Sequence, residues 1–305
     1  MTREELNQEK QQEIINEQRR EKRKKITIFF LKISVILILG FFIFYAYTTY
    51  ISTSRLIVKE DRIVDSDLPN NFDGMKVIQF SDLHYGTTVF YDEVRNLVKE
   101  INLRSPDIVI FTGDLIDPSY DISTDEQEKL IKLLKKIDAT LGKYCVPGED
   151  DSEMFYTLMK QSEFTILENS YDLIYKNNNN PILLVGLGSS LNDSLNIHEG
   201  FSYFSEVSHN SNIYTIAVAH EPDTFVDVNN EYSVDLFLAG HSHNGNIRLP
   251  LIGAIYKVDG AETYIDEHYK VDESDLFISS GIGTDGPGFR LFCRPSFNFF
   301  RISSK

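Results

Sequence analysis

The chain has 305 residues, 42% hydrophobic and 25% charged, an ordinary globular composition that can bury a real core. Its formal charge of −16 is uneven: residues 1–25 hold 8 Lys+Arg against 6 Asp+Glu, which leaves 22 against 40 for the rest. So acidic a body has no basic stripe with which to displace counterions from phosphates, which argues against nucleic acid as a partner and suits cation sites.

Residues 1–25 are rich in Glu, Gln, Lys and Arg and read as a cytoplasmic polar tail, helical or not, that cannot bury a face. Residues 26–50, ITIFFLKISVILILGFFIFYAYTTY, exceed the roughly 20 apolar residues a spanning helix needs. Lys32 is the only charge in that run and can snorkel. A run apolar on every side, with a basic cluster before it and tyrosines after it, fits membrane insertion better than a buried core helix. A cleaved signal peptide fits less well, because the polar lead is long and Tyr45, Tyr47 and Tyr50 stand where a small-residue cleavage site belongs. The expectation is a single-pass signal anchor in the cell membrane. Arg19, Arg20, Lys22, Arg23, Lys24 and Lys25 would hold the N-terminus in the cytoplasm, placing residues 51–305 outside as one domain.

Past the anchor, a strand is expected near residues 55–64, a turn at 68–74 and a buried strand at 75–80 (MKVIQF). Val94, Leu97, Val98 and Ile101 stand at i, i+3, i+4 and i+7, which predicts a helix within 88–103. A strand at 107–112 and a helix at 124–137 follow, so strand and helix alternate as in parallel βαβ units. Further strands are expected at 143–146, 213–219, 234–239, 276–280 and 291–302, with a short helix at 154–160. Strands alternate across 164–187 around an Asn-rich turn at 177–180. No linker splits the body, so two sheets sharing one core are expected. Cys145 and Cys293 both lie in apolar strand-like runs and fit two buried free thiols better than one disulfide.

Chemistry gathers at the strand ends. The first buried strand runs into Ser81, Asp82, Leu83, His84 and Tyr85; the next into Gly113 and Asp114; the third into Gly148, Glu149, Asp150 and Asp151. Later strands run into His220 and into Gly240, His241, Ser242, His243 and Asn244. Four of seven histidines at such positions, with carboxylates between them, exceed what one divalent ion requires. Two ions about 3.5 to 4 Å apart and sharing one carboxylate would use them.

This order of Asp-X-His, Gly-Asp, a Gly-led acidic loop, a late His and Gly-His-X-His resembles the calcineurin-like metallophosphoesterase superfamily. The wording SDLHYG, TGDLID, AHEPD, AGHSHNGNIRLP and GIGTDGPGFR is similar to its membrane-associated branch of small phosphodiesterases. The resemblance covers about residues 55–303. It implies an α/β fold, a four-layer α/β/β/α sandwich of two mixed sheets, here preceded by the transmembrane helix. It also implies that Asp82, His84 and His243 bind a first metal, that Asp114 bridges, and that His220 and His241 bind a second. Mn, Fe, Zn or Mg would occupy the two sites, and the substrate would be a phosphate ester, lipid or wall-linked given the anchor. A monomer is expected.

One loop departs from the family, which has Gly-Asn-His followed by an acid where this chain has Gly148, Glu149, Asp150 and Asp151. Glu149 can replace the Asn as a metal ligand, since a carboxylate is the stronger oxygen donor. Asp150 replaces a His that donates to the departing oxygen, and an ionised Asp only accepts. Two readings follow: a membrane-anchored phosphoesterase, slowed or confined to good leaving groups, and a metal-binding pseudoenzyme that holds a phosphorylated envelope ligand without turnover. Loop structure is the simpler reading of Ser81, Tyr85 and Asn244. Asp117, Asp121 and Glu221 are expected to be solvated acids, and Arg290 and Arg294 to be substrate-facing or strand-surface charges. The glycine-rich run at 281–288 is expected to be a tight loop and not a nucleotide cradle, since no helix follows it.

Overall fold

A computed structural model describes residues 2–177, 179–206, 213–286 and 288–304. Two compact units divide the chain, Met1–Thr48 and Thr49–Lys305. The first consists of α1 (Arg3–Ala46), whose N-terminus is closed by a reciprocal capping box between Thr2 and Glu5. Polar lead and apolar run thus form one continuous helix, and its apolar part is long enough to cross a membrane.

The second unit holds, in chain order, β1 (Ile57–Val64), β2 (Met75–Phe80), α2 (Tyr91–Asn102), β3 (Ile108–Phe111), α3 (Thr124–Leu134) and β4 (Gly142–Cys145). Then come α4 (Glu153–Gln161), β5 (Thr165–Ile166), β6 (Ser170–Ile174), β7 (Ile182–Gly186), α5 (Ile197–Gly200), α6 (Tyr203–Glu206), β8 (Thr215–Val218), α7 (Thr224–Glu231) and β9 (Leu236–Ala239). The chain closes with β10 (Arg248–Leu249), β11 (Gly253–Ala254), β12 (His268–Val271), β13 (Ser274–Ile278) and β14 (Ser296–Ser303). One sheet has the order β1-β14-β2-β3-β4-β5, the other β12-β13-β9-β8-β7-β6. Both are mixed. Strands β2, β3, β4 and β5 run parallel beside an antiparallel β14, and β13, β9, β8 and β7 run parallel between antiparallel edges.

Strand pleating sorts the side chains into layers. Ile78, Phe80, Val109 and Phe111 face the helices α2, α3 and α4, while Val77, Ile108 and Ile110 face the second sheet. There they meet Leu184, Ile216 and Leu236. On the far side Leu183, Ala217 and Phe237 pack against Phe201, Phe225 and Val228 of the remaining helical segments. The unit is therefore the four-layer α/β/β/α sandwich expected. Helix α2 buries the predicted Val94, Leu97, Val98 and Ile101, and α3 starts at a Ser123–Glu126 capping box.

Several elements differ from expectation. The apolar runs at 107–112 and 213–219 give strands of only four residues, because each chain segment leaves the sheet where the polar strand-end loops begin. The β10–β11 hairpin, β12 and α7 carried no predicted element. Asn178, in the expected Asn-rich turn, and Pro287, in the glycine-rich loop, lie outside the described residues. Cys145 and Cys293 are both buried free thiols.

Candidate metal centre

Parallel strands all open their C-terminal ends on one side, so β2, β3 and β4 of one sheet and β8 and β9 of the other deliver their loops to a common place. Gln79 fixes the two sheets there. It is fully buried between them, donates to the Ala239 carbonyl at 2.7 Å and accepts from Asn298 Nδ2 at 2.9 Å. A Gln in a buried strand is satisfied by this bridge and would otherwise cost more than it contributes.

The loops bring together Asp82, His84, Asp114, Glu149, Asp150, His220, His241 and His243. Ligand atoms of Asp82, His84 and His243 lie within 4.8 Å of one another, as do those of Glu149, His220 and His241. Asp114 joins the two triads: its oxygens fall in the same range of Asp82 and His220, and of His84 and Asp150. Asp82, His84, Asp114, His241 and His243 all have positive φ, between 39° and 63°. Left-handed backbone costs a non-glycine residue of order 1–3 kcal/mol and persists at functional sites, where the surrounding structure enforces it. The approach of the loops needs Gly148, because a Cβ there would stand 2.2 Å from Asp114 Oδ1.

Hydrogen bonds settle which histidine nitrogens face the cluster. His220 Nδ1 meets the Thr112 carbonyl at 2.5 Å and His241 Nε2 meets the Asp259 carbonyl at 2.7 Å. A carbonyl only accepts, so each of these nitrogens donates, and the opposite ring nitrogens, His220 Nε2 and His241 Nδ1, face Glu149 at 2.9 and 2.8 Å. His84 Nδ1 is buried with no hydrogen-bond partner. Burial alone would depress the His220 imidazolium, yet Asp114 and Glu149 beside it hold its pKa well above the usual value. Burial opposes ionisation of Glu149 as well, but His220 and His241 keep its carboxyl well below the usual range. His243 goes the other way, pushed down by burial and by His84 and Arg290. Buried imidazole nitrogens turned toward carboxylates that require positive charge are a donor set fitted to borderline divalent cations. Asp82, His84, Asp114, Glu149, His220, His241 and His243 could hold them.

Asp150 sits at the edge of the group, its backbone N–H donating to Asp114 Oδ1 at 3.2 Å. Burial, then Asp114 and Glu149, push its carboxyl up to about 6. Asp151 was only part of a motif in the sequence. In the fold it accepts from the backbone N–H groups of Asp114, Leu115 and Gly148 at 2.8, 2.9 and 2.9 Å and so clamps two of the loops together. No spacing rule reveals such a role.

Three expectations about charged residues are overturned. Arg290 is neither substrate-facing nor on a strand surface: it is wholly buried, donates to the Ser280 carbonyl at 2.7 Å, and lies 3.2 Å from His243 Nδ1. Asp117 is buried, accepting from the Ser119 backbone. Glu221 is fully buried, accepting from Ser189 and Ser190, because the loop around Gly260 packs over it. Asp121 is exposed as expected. Asn244 is structural, donating to Glu267 and accepting from Arg248. A cavity of about 440 Å³ opens over the cluster, walled on its other side by Ile247, Tyr256, Val258 and Phe289. Tyr256 and Val258 come from a stretch, 251–265, for which no element or motif was expected.

Residues 75–245 match the family described as Calcineurin-like phosphoesterase. The chain is 27% identical over 265 residues to the uncharacterized metallophosphoesterase YkuE of Bacillus subtilis, covering 85% of this chain and 90% of the relative. It is 25% identical over 232 residues to the phosphodiesterase YaeI of Escherichia coli, covering 74% and 82%. It is 24% identical over 239 residues to a transmembrane protein with metallophosphoesterase domain of Danio rerio, covering 74% of this chain and 53% of that protein.

Proposed function

Because the chain belongs to the calcineurin-like phosphoesterase family, whose members hydrolyse phosphate esters with divalent metals, we propose that it is a membrane-anchored phosphodiesterase with a dinuclear centre. Asp82, His84 and His243 would hold one ion and Glu149, His220 and His241 the other, with Asp114 shared between the two groups. Mn, Fe, Zn or Mg are the candidates, as mixed His and carboxylate ligation suits them better than calcium. Residues 26–50 anchor the chain in the cell membrane with the N-terminus in the cytoplasm, and residues 51–305 form the catalytic domain outside it. The substrate is a phosphodiester of a lipid or other envelope component.

When bound, the ions supply Lewis-acid activation of water and neutralise charge gathering on a phosphoryl oxygen. The chain's own residues do the rest. Thr112 and Asp259 carbonyls fix the two ring tautomers, Asp151 holds the Asp114 and Glu149 loops in register, and Asp150 is the side chain near enough to hand a proton to the departing oxygen. The observation that carries this reading is the pair of buried triads joined by Asp114. Turnover is favoured over mere binding because every ligand position is filled by a donor, Glu149 included.

The full chain in detergent, stripped by a chelator and refilled with Mn, Fe, Zn or Mg, tests it on bis(p-nitrophenyl) phosphate and p-nitrophenyl phosphate, with Asp114→Asn as the blank. Metal-dependent turnover of the diester that vanishes in the blank is expected. Two bound ions with no turnover of either ester would transfer the assignment to a binding protein.

A further inference from the structure

The hairpin formed by β10 and β11 is the part of the second unit that the phosphoesterase reading leaves without a task. Between Arg248 and Lys257 the chain reads LPLIGAIY, with no charge and no polar side chain except the Tyr hydroxyl. Its apolar residues are turned outward: Leu251 is 107% exposed, Ile252 72%, Tyr256 68% and Ile255 54%. Single exposed apolar residues are normal on a soluble surface, but a contiguous group at one tip marks an interaction site. Leu251 moreover has φ 69°, a left-handed conformation where Gly or Asn would be unstrained. A bulky apolar side chain therefore occupies the position at which a water-facing turn would carry a small or polar one.

The tip is fastened to the metal cluster. Arg248, at its base, donates to the backbone and side-chain oxygens of Asn244, next to His243. Gly245 packs so closely on β11 that a Cβ there would stand 2.4 Å from the Ala254 Cβ. Tyr256 also lines the cavity over the cluster, where Ile247, Val258 and Phe289 continue the apolar wall. One apolar track thus runs from the exposed tip to the donors of His84, Asp114 and Glu149.

We propose that this tip enters the surface of a lipid bilayer and that the apolar track receives the hydrocarbon part of an amphiphilic phosphate ester drawn from it. This rests on the phosphoesterase reading and names its substrate class. A bilayer, and not a protein, is the occupant because the tip has no charge to specify a partner, is flanked in sequence by the cations Arg248 and Lys257, and carries a Tyr at its boundary, the pattern of interfacial anchors. The spanning helix of the same chain keeps any such surface at high effective concentration.

The chain contains no Trp, so Leu251→Trp makes a single reporter, with Ile252→Trp as a second and Leu103→Trp, exposed at the end of α2, as the reference. Each full-length variant is reconstituted into phosphatidylcholine vesicles containing lipid brominated along the acyl chain. Emission of Trp at 251 and 252 is expected to be blue-shifted and quenched, and that at 103 to be neither. Unquenched emission at both tip positions overturns the proposal, and a blue shift without quenching would mean that the tip is covered by protein, such as a second copy of the chain. For the substrate class, dodecyl phosphate should inhibit hydrolysis of bis(p-nitrophenyl) phosphate about tenfold or more better than ethyl phosphate, since each buried methylene adds affinity. Leu251→Asp with Ile252→Asp should leave that hydrolysis itself unchanged and abolish the quenching of a further reporter, Ile255→Trp. Equal inhibition by the two phosphates overturns the amphiphile assignment. Quenching with no hydrolysis of the soluble ester would keep the membrane surface and remove the enzyme reading.

Discussion

Replacing Asp150 with His puts the departure from the family's loop to a quantitative test. The Asp150 carboxyl lies within reach of Asp114 and His84, and burial together with Asp114 and Glu149 pushes it up to about 6. At that value only about a tenth of the molecules hold the proton at pH 7, and cations beside it would draw the proton off further. General-acid help is worth about 10² to 10⁴ in rate. If Asp150 donates from its protonated fraction, Asp150→His raises kcat on alkyl phosphodiesters by about tenfold; if it does not donate at all, the gain approaches the full 10² to 10⁴. On p-nitrophenyl esters, whose leaving group departs unaided, kcat should hardly change. The assay is kcat against leaving-group basicity for wild type and variant, both loaded with the same metal. A steep slope that flattens in Asp150→His supports the reasoning. Identical slopes would refute it, because the loop would then have no part in leaving-group departure.

Other perturbations probe the frame around the centre. Gly148→Ala forces a Cβ to within 2.2 Å of Asp114 Oδ1, so metal titration should show loss of at least one ion while far-UV circular dichroism stays native. Gln79→Leu removes the link to Ala239 and leaves Asn298 Nδ2 unpaired, and thermal unfolding in detergent should show a loss of about 1–3 kcal/mol. Asp235 gives a pH signature: burial pushes its carboxyl up to about 7, opposed by the Thr215 N–H it accepts and reinforced by Asp65 and Asp67. The folded pKa lies above the unfolded one, so its contribution is present below about pH 4 and lost as pH rises through about 7. Asp235→Asn keeps the acceptor and removes that slope, so the variant should gain up to about 4 kcal/mol on wild type at pH 8 and nothing at pH 4. A constant difference across that range would contradict the assignment.

What could be read from the chain was whatever depends on neighbours in sequence. The helical spacing of Val94, Leu97, Val98 and Ile101 and the position of Asp82, His84, Asp114, Glu149, His220, His241 and His243 at strand ends are local patterns, and the fold gathers all seven in one cluster. What could not be read depends on neighbours in space. Arg290, Asp117 and Glu221 are residue types that favour water, and only the loops packed over them supply the partners that let them be buried. Gln79 is polar within an apolar strand, and its partners, Ala239 in the second sheet and Asn298 on the neighbouring β14, are distant in sequence. The hairpin at 248–254 has too few residues to show an alternation, so its outward apolar face was invisible to periodicity.

The last strand of the chain lies between the first two strands of the domain. Strand β14 pairs with β1 along all eight residues of each and with β2 along five, and so joins the two in that sheet. Until residue 303 has been synthesised, β2, which leads into Asp82, is an open edge, and Gln79 lacks Asn298. The ligand loops are thus encoded in the first four-fifths of the domain but are locked in place by its final strand. A contact this distant in sequence makes assembly of the cation site a late event in folding, one that waits for β14 to pair. Loss of the last ten residues would therefore abolish the centre while deleting none of its ligands.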